Sequence, residues 1–173
     1  MSTPESLLPG QAPRWDIDPV VAELRQLRRR SLAERRRDVH PPKLPSRKAL
    51  AAVVEGVAAA LFPNRLGLPE LTDEGIDYFV GHTLDTMLRT LHAQVLRELD
   101  YVAGPGQASV VAEAERITRA LGRALPGIRA LLETDIAAAY QGDPAARSID
   151  EILVCYPGIT AVIHHRLAHA LLM

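Results

Sequence analysis

The polar side chains best suited to chemistry in this 173-residue chain lie in its last third, from 132 to 173. His165 and His169 are four residues apart, which places both imidazoles on one helix face, and His164 is adjacent. This is metal-ligand spacing, but no glutamate follows His165 in the HExxH pattern and no further ligand is evident, so no metal site is predicted. Arg166 and His169 can also share a face. They suit an anionic ligand or a carboxylate of another subunit, and a polar interface rim fits the spacing equally well.

Asp143 lies in the turn sequence Gly142-Asp143-Pro144. A residue before proline is held in an extended conformation, so its carboxylate sits on a rigid elbow. Such a carboxylate could meet a substrate ammonium or hydroxyl. A turn aspartate that caps the following segment is common, and spacing alone favours this second interpretation.

Three other groups of polar residues are assigned structural roles. Cys155 follows an apolar run, which predicts a buried small hydrophobe rather than a nucleophile paired with His164 or His165. His82 and Asp85 are three residues apart, which predicts a structural hydrogen bond on a long helix. The first helix is rich in arginine without interleaved aromatic residues, which favours a solvated face over an RNA or partner contact. Its arginines are Arg25, Arg28, Arg29, Arg30, Arg35, Arg36 and Arg37.

Helices must position these residues. Hydrophobic residues make up 47% of the chain and aromatics only 4%, so the core is aliphatic, which favours helix over sheet. The chain is divided into helices by N-cap residues, by a Ser148–Glu151 capping box, and by prolines and glycines that end helices. The helices are predicted at about 18–37, 46–62, 72–102, 107–124, 127–140, 148–154 and from 156 onward. The expected fold is an all-α bundle of about seven helices, with an arm, Arg-rich helix and Pro-rich linker at 1–45 and a helical domain at 46–173.

Composition bounds the function classes. A net charge of −1 with 24% charged residues gives no global sign of nucleic-acid binding. The single cysteine fits a reducing compartment. No secretory signal begins the chain, and no uncharged apolar run is long enough to span a bilayer. A cytoplasmic protein without membrane partners is therefore expected.

Several segments resemble the helical N-terminal domain of bacterial serine O-acetyltransferases. They are Asp135-Ile136 with Gly142-Asp143-Pro144-Ala145-Ala146, then Tyr156-Pro157-Gly158-Ile159, then His165-Arg166-Leu167-x-His169. Segments 77–85 and 94–99 look like the longer-armed subgroup of this family. The resemblance covers 48–173, and no likeness is found for the first 45 residues.

The resemblance implies transfer of an acetyl group from acetyl-CoA to the hydroxyl of L-serine, which yields O-acetylserine for cysteine biosynthesis. The family fold continues into a left-handed β-helix of hexapeptide repeats. That β-helix forms the CoA groove and supplies a histidine as general base. The helical domain assembles subunits, typically as dimerising trimers. Asp143 matches the family aspartate that helps to hold the substrate serine. Arg166 and His169, with His165 beside them, match residues at the junction to the β-helix.

The chain departs from the family pattern because it contains no hexapeptide repeat, no catalytic histidine and no tail of the kind that docks O-acetylserine sulfhydrylase. A truncated or fragmentary acetyltransferase is therefore expected, homo-oligomeric and inactive alone, with no bound cofactor and no catalytic residue of its own. One alternative is a stand-alone helical oligomerisation or regulatory module. Another is a small metal-binding helical protein that uses His164, His165 and His169.

Overall fold

A computed structural model describes residues 17–34, 43–104 and 106–172. Within these ranges the chain forms seven α-helices and no strand, which confirms the all-α prediction. The helices are α1 (Asp18–Glu34), α2 (Arg47–Leu61), α3 (Pro63–Leu66), α4 (Asp73–Ala103), α5 (Ala108–Gly142), α6 (Ile149–Cys155) and α7 (Pro157–Leu172). None of the helices in the described ranges is long and apolar enough to cross a membrane. The chain divides into two compact units, Met1–Pro42 and Lys43–Met173.

The described part of the first unit is the helix α1. It contains no buried residue, and its apolar side chains are exposed apart from the half-buried Leu32. Arg25, Arg28, Arg29 and Arg30 are exposed as well. The helix was predicted to continue to about residue 37, and that stretch, with Arg35, Arg36 and Arg37, lies outside the described residues.

The second unit is built around α5. Its buried residues recur every three or four positions, so one stripe of the helix faces the core along its whole length. They are Val110, Ala114, Thr118, Leu121, Leu125, Ile128, Leu132 and Ile136. The five from Leu121 to Ile136 form one cluster with buried aliphatic residues of α2, α4, α6 and α7, which is the aliphatic core that the composition predicts.

The prediction of two helices separated at Pro126 is wrong, because α5 runs unbroken through this residue. Proline inside a helix removes one hydrogen bond and costs about 3 kcal/mol. Leu125 and Ile128 on either side are nevertheless 4% and 6% exposed. The buried stripe therefore continues across Pro126, and packing outweighs the local preference. The total of seven is reached with a different division, since the single-turn helix α3 was not predicted.

Side-chain hydrogen bonds close several helix ends. Ser46, Thr72 and Ser148 each accept a bond from a backbone N–H three residues later, so these predicted N-caps are confirmed. The buried amide of Gln94 on α4 accepts a bond from the Ser46 N–H at 2.9 Å. Arg129 on α5 donates to the Leu61 carbonyl at the end of α2, where carbonyls lack helical partners.

Candidate functional site

Asp143 forms the elbow between α5 and α6. It is the C-cap of α5 with φ −116° and ψ 103°, the extended conformation expected before Pro144. Its Oδ1 accepts a hydrogen bond from the Ala145 N–H at 2.9 Å, and its carbonyl accepts one from the Ala146 N–H at 3.1 Å. The carboxylate thus makes the local turn expected of an aspartate here. Its side chain is half-buried, so part of it remains open to solvent.

Tyr156 is the second member of this site. Its hydroxyl donates a hydrogen bond of 2.6 Å to Asp143 Oδ2. The sequence marks Tyr156 as part of a motif but predicts no pairing with Asp143, because the two residues are thirteen positions apart with the whole of α6 between them. The short length of α6 between two proline-marked turns is the one sequence signal that the two elbows lie close together.

The hydrogen bonds fix the charge state of the pair. The Tyr156 hydroxyl, followed by the Ala145 N–H, lowers the pKa of Asp143 from its ordinary value of 3.8. The same hydrogen bond, followed by burial, raises the pKa of Tyr156 from 10.0 to about 12. At neutral pH, Asp143 is therefore an anion that only accepts hydrogen bonds, and Tyr156 is a neutral donor.

Arg166 on α7 binds Asp135 on α5. Its Nε and Nη2 donate to the two carboxylate oxygens at 2.9 and 2.8 Å, and the side chains are 32% and 24% exposed. This hydrogen bond to Asp135 raises the pKa of the Arg166 guanidinium. The positive charge of Arg166, which could have met an anionic ligand, is thus paired with Asp135 of the same chain. The bidentate pair ties α7 to the last two turns of α5, which lead directly into Asp143.

His165 and His169 lie on one face of α7, as their spacing predicts. Their rings are stacked, with centroids 6.0 Å apart and planes 19° from parallel, and both side chains are exposed, as is His164. Across the described residues, no group of three or more His, Cys, Asp or Glu side chains could hold a metal ion. The two hydrogen bonds to the Asp143 carboxylate come from Ala145 and Tyr156, not from these histidines.

Two sequence predictions about polar residues are wrong. Cys155 is exposed, not buried, because Ile152 and Leu153 take the core-facing positions of the short helix α6. Asp85 accepts its hydrogen bond from Arg89 Nε at 2.8 Å, one turn later, and not from His82. The His82 ring stacks instead on Tyr78 at a centroid distance of 6.1 Å.

The fold and site define an all-α domain with a pre-oriented aspartate between two core helices.

No protein-family model matches the chain. It is 43% identical over 163 residues to the plasmid serine acetyltransferase of Synechococcus elongatus, a match that covers 91% of this chain and 51% of that protein. Over 35 residues it is 57% identical to the serine acetyltransferase of Mycobacterium tuberculosis, which is 20% of this chain and 15% of that protein.

A solved structure shares the fold. Serine acetyltransferase isoform 3 from Entamoeba histolytica, in complex with cysteine, superposes with a TM-score of 0.57 at 24% identity, covering 90% of this chain and 51% of that one. The resemblance to serine acetyltransferases is thus confirmed, and the chain spans about half the length of these two long matches. A match to 91% of the chain cannot fit within 46–173, so the likeness also extends into the first 45 residues, where none was predicted.

Proposed function

We propose that this chain is the helical part of a serine O-acetyltransferase and that Asp143 holds the substrate serine. The supporting observation is the elbow carboxylate itself, half-buried, ionised and oriented by two hydrogen bonds. It occurs in a chain with 43% identity to a protein named for this activity. The reaction is the transfer of an acetyl group from acetyl-CoA to the serine hydroxyl, with O-acetyl-L-serine and CoA as products.

Asp143 has a binding and orienting role in this reaction. Its remaining acceptor positions can take hydrogen bonds from the ammonium or hydroxyl of serine. Attack on the acetyl thioester also requires a general base within hydrogen-bond reach of the serine hydroxyl. Among the described residues, no histidine is hydrogen-bonded to Asp143. The base and the acetyl-CoA groove are assigned, as the resemblance to serine acetyltransferases implies, to other parts of the assembled enzyme.

The same proposal includes self-association. The exposed imidazoles of His165 and His169 on α7 are available to contact a neighbouring subunit or domain. Arg166 acts at this junction by holding α7 against α5 through Asp135. A homo-oligomer of trimers or hexamers is expected, and size-exclusion chromatography with light scattering of the purified chain measures it. A monomer at all concentrations would contradict this part of the proposal.

The serine assignment is tested by Asp143→Ala in the complete gene product, translated from its native reading frame. Release of CoA thiol is measured while serine or acetyl-CoA is varied. We expect the KM for serine to rise about tenfold or more, because a charged hydrogen-bond partner is lost, with the KM for acetyl-CoA changed less than about twofold. Asp77→Ala on the exposed face of α4 is the matched control. Unchanged serine kinetics in Asp143→Ala would refute the assignment.

A stand-alone assembly or regulatory module is the second candidate. It is favoured by the absence, within the described residues, of a histidine bonded to Asp143 and of any strand. Both candidates expect no thiol release from the purified 173-residue chain, because neither assigns it a general base or an acetyl-CoA groove. Mixing the chain with the Synechococcus elongatus enzyme separates them. Co-elution with loss of that enzyme's activity supports the module.

A further inference from the structure

The hydrogen bond between Tyr156 and Asp143 joins two elbows of the chain, one on each side of α6. The main chain of Tyr156 is held from both directions. Its N–H donates to the Ile152 carbonyl at 3.4 Å, and its carbonyl accepts from the Ile159 N–H at 3.0 Å. Pro157 follows directly and keeps Tyr156 extended, with φ −87° and ψ 114°. The backbone that carries the phenol is therefore fixed.

The ring of Tyr156 is fixed as well. It is half-buried and packs against the aliphatic core. The anchoring residues Ile152 and Ile159, on either side in sequence, are 0% and 5% exposed. A tyrosine side chain has only two rotatable bonds before the ring, so a large movement of the hydroxyl away from Asp143 would also remove the ring from its contacts with the core.

The carboxylate of Asp143 has acceptor capacity left after these contacts. A carboxylate offers about four lone-pair positions, two on each oxygen. Within the described residues, Oδ1 uses one for the Ala145 N–H and Oδ2 uses one for the Tyr156 hydroxyl. Each oxygen thus keeps one position for a ligand, and the plane of the carboxylate is set by a donor on either side.

We propose that Tyr156 is the positioning residue of this site, because its hydroxyl holds the Asp143 carboxylate in the orientation that receives the substrate. The inference rests on the proposed role of Asp143 in serine binding. Tyr156 itself does not touch the reacting atoms. Without its hydroxyl, Asp143 is held only through Ala145, so the carboxylate can rotate about its last side-chain bond, and its ionised form loses a hydrogen bond.

The variant Tyr156→Phe tests this while keeping the ring in the core. Tyr140→Phe is the matched control, since Tyr140 is 38% exposed on α5, three residues before Asp143, and its hydroxyl has no hydrogen bond within the described residues. The titration of the Asp143 carboxyl carbon is followed by NMR in the 173-residue chain. In Tyr156→Phe we expect the pKa of Asp143 to move up towards its ordinary value, and in Tyr140→Phe to stay in place. Circular dichroism verifies that both variants are folded.

Kinetics of the complete gene product give the second measurement. Tyr156→Phe is expected to raise the KM for serine about fivefold, with the KM for acetyl-CoA unchanged within about twofold and the acid limb of kcat/KM for serine moved to higher pH. Asp143→Asn separates the two proposals. If Asp143→Asn leaves serine use intact, the proposed function fails. If it weakens serine use while Tyr156→Phe matches the wild type in both the Asp143 titration and the serine KM, only the role of Tyr156 is overturned.

Discussion

Leu131 and Leu132 are adjacent leucines on α5 with opposite environments. Leu132 is 0% exposed and belongs to the core cluster, whereas Leu131 is 48% exposed. Truncation of a buried leucine to alanine removes its transfer free energy and leaves a cavity, which together cost about 3 to 5 kcal/mol. Leu132→Ala is therefore expected to lower the free energy of unfolding by that amount. Leu131→Ala should cost about 1 kcal/mol or less.

The same difference can be read as a melting temperature. For a domain of this size, 1 kcal/mol corresponds to roughly 2 to 4 °C, so Leu132→Ala should lower Tm by roughly 6 to 20 °C. Urea unfolding by circular dichroism measures both variants, and an unchanged m-value shows that the denatured state is the same. Equal losses of unfolding free energy in the two variants would refute the orientation of α5 that buries Leu132 and exposes Leu131. They would also contradict the continuity of α5 beyond Pro126.

Three further predictions address the polar contacts and the boundary of the second unit. Gln94→Leu leaves the Ser46 N–H without its partner, so it should cost about 1 to 3 kcal/mol, against almost nothing for the exposed control Gln141→Leu in the same urea assay. Thermal melts across pH measure how much more stable the wild type is than Asp143→Asn. This difference should be fully present between pH 3.8 and 10.0, the ordinary pKa values of the two groups, because the pKa of Asp143 is lowered and that of Tyr156 is raised to about 12. It should be lost as pH falls through the lowered pKa of Asp143 or rises through about 12, and an advantage independent of pH would contradict the pairing. A chain that begins at Lys43 should keep the Tm of the 173-residue chain within about 2 °C, whereas one that begins at Leu50 lacks the Ser46 cap and should melt lower.

The candidate site was only partly predictable from sequence. Asp143 could be singled out because a short motif and the following proline mark it. Its partner Tyr156 could not, because pairing depends on how α6 places one elbow beside the other. The spacing of Arg166 and His169 leaves an anionic ligand, a carboxylate of another subunit and a polar interface rim open for Arg166, and its partner in the structure is Asp135 of the same chain. Helix packing decides which carboxylate an arginine contacts. The spacing of residues within one helix contains no information about that packing.

The sequence by itself determined the helical class and the local conformation at the helix ends. An aliphatic composition with few aromatics favours helices, serine and threonine side chains cap them, and a proline holds Asp143 extended, all through interactions between residues close in the chain. Only the tertiary structure decided that α5 passes through Pro126, that Cys155 faces solvent, and that Tyr156 meets Asp143. These outcomes depend on burial and on contacts between residues far apart in the chain. The free energy of those contacts can exceed the local conformational preference of a residue, and it selects the partner that each side chain meets.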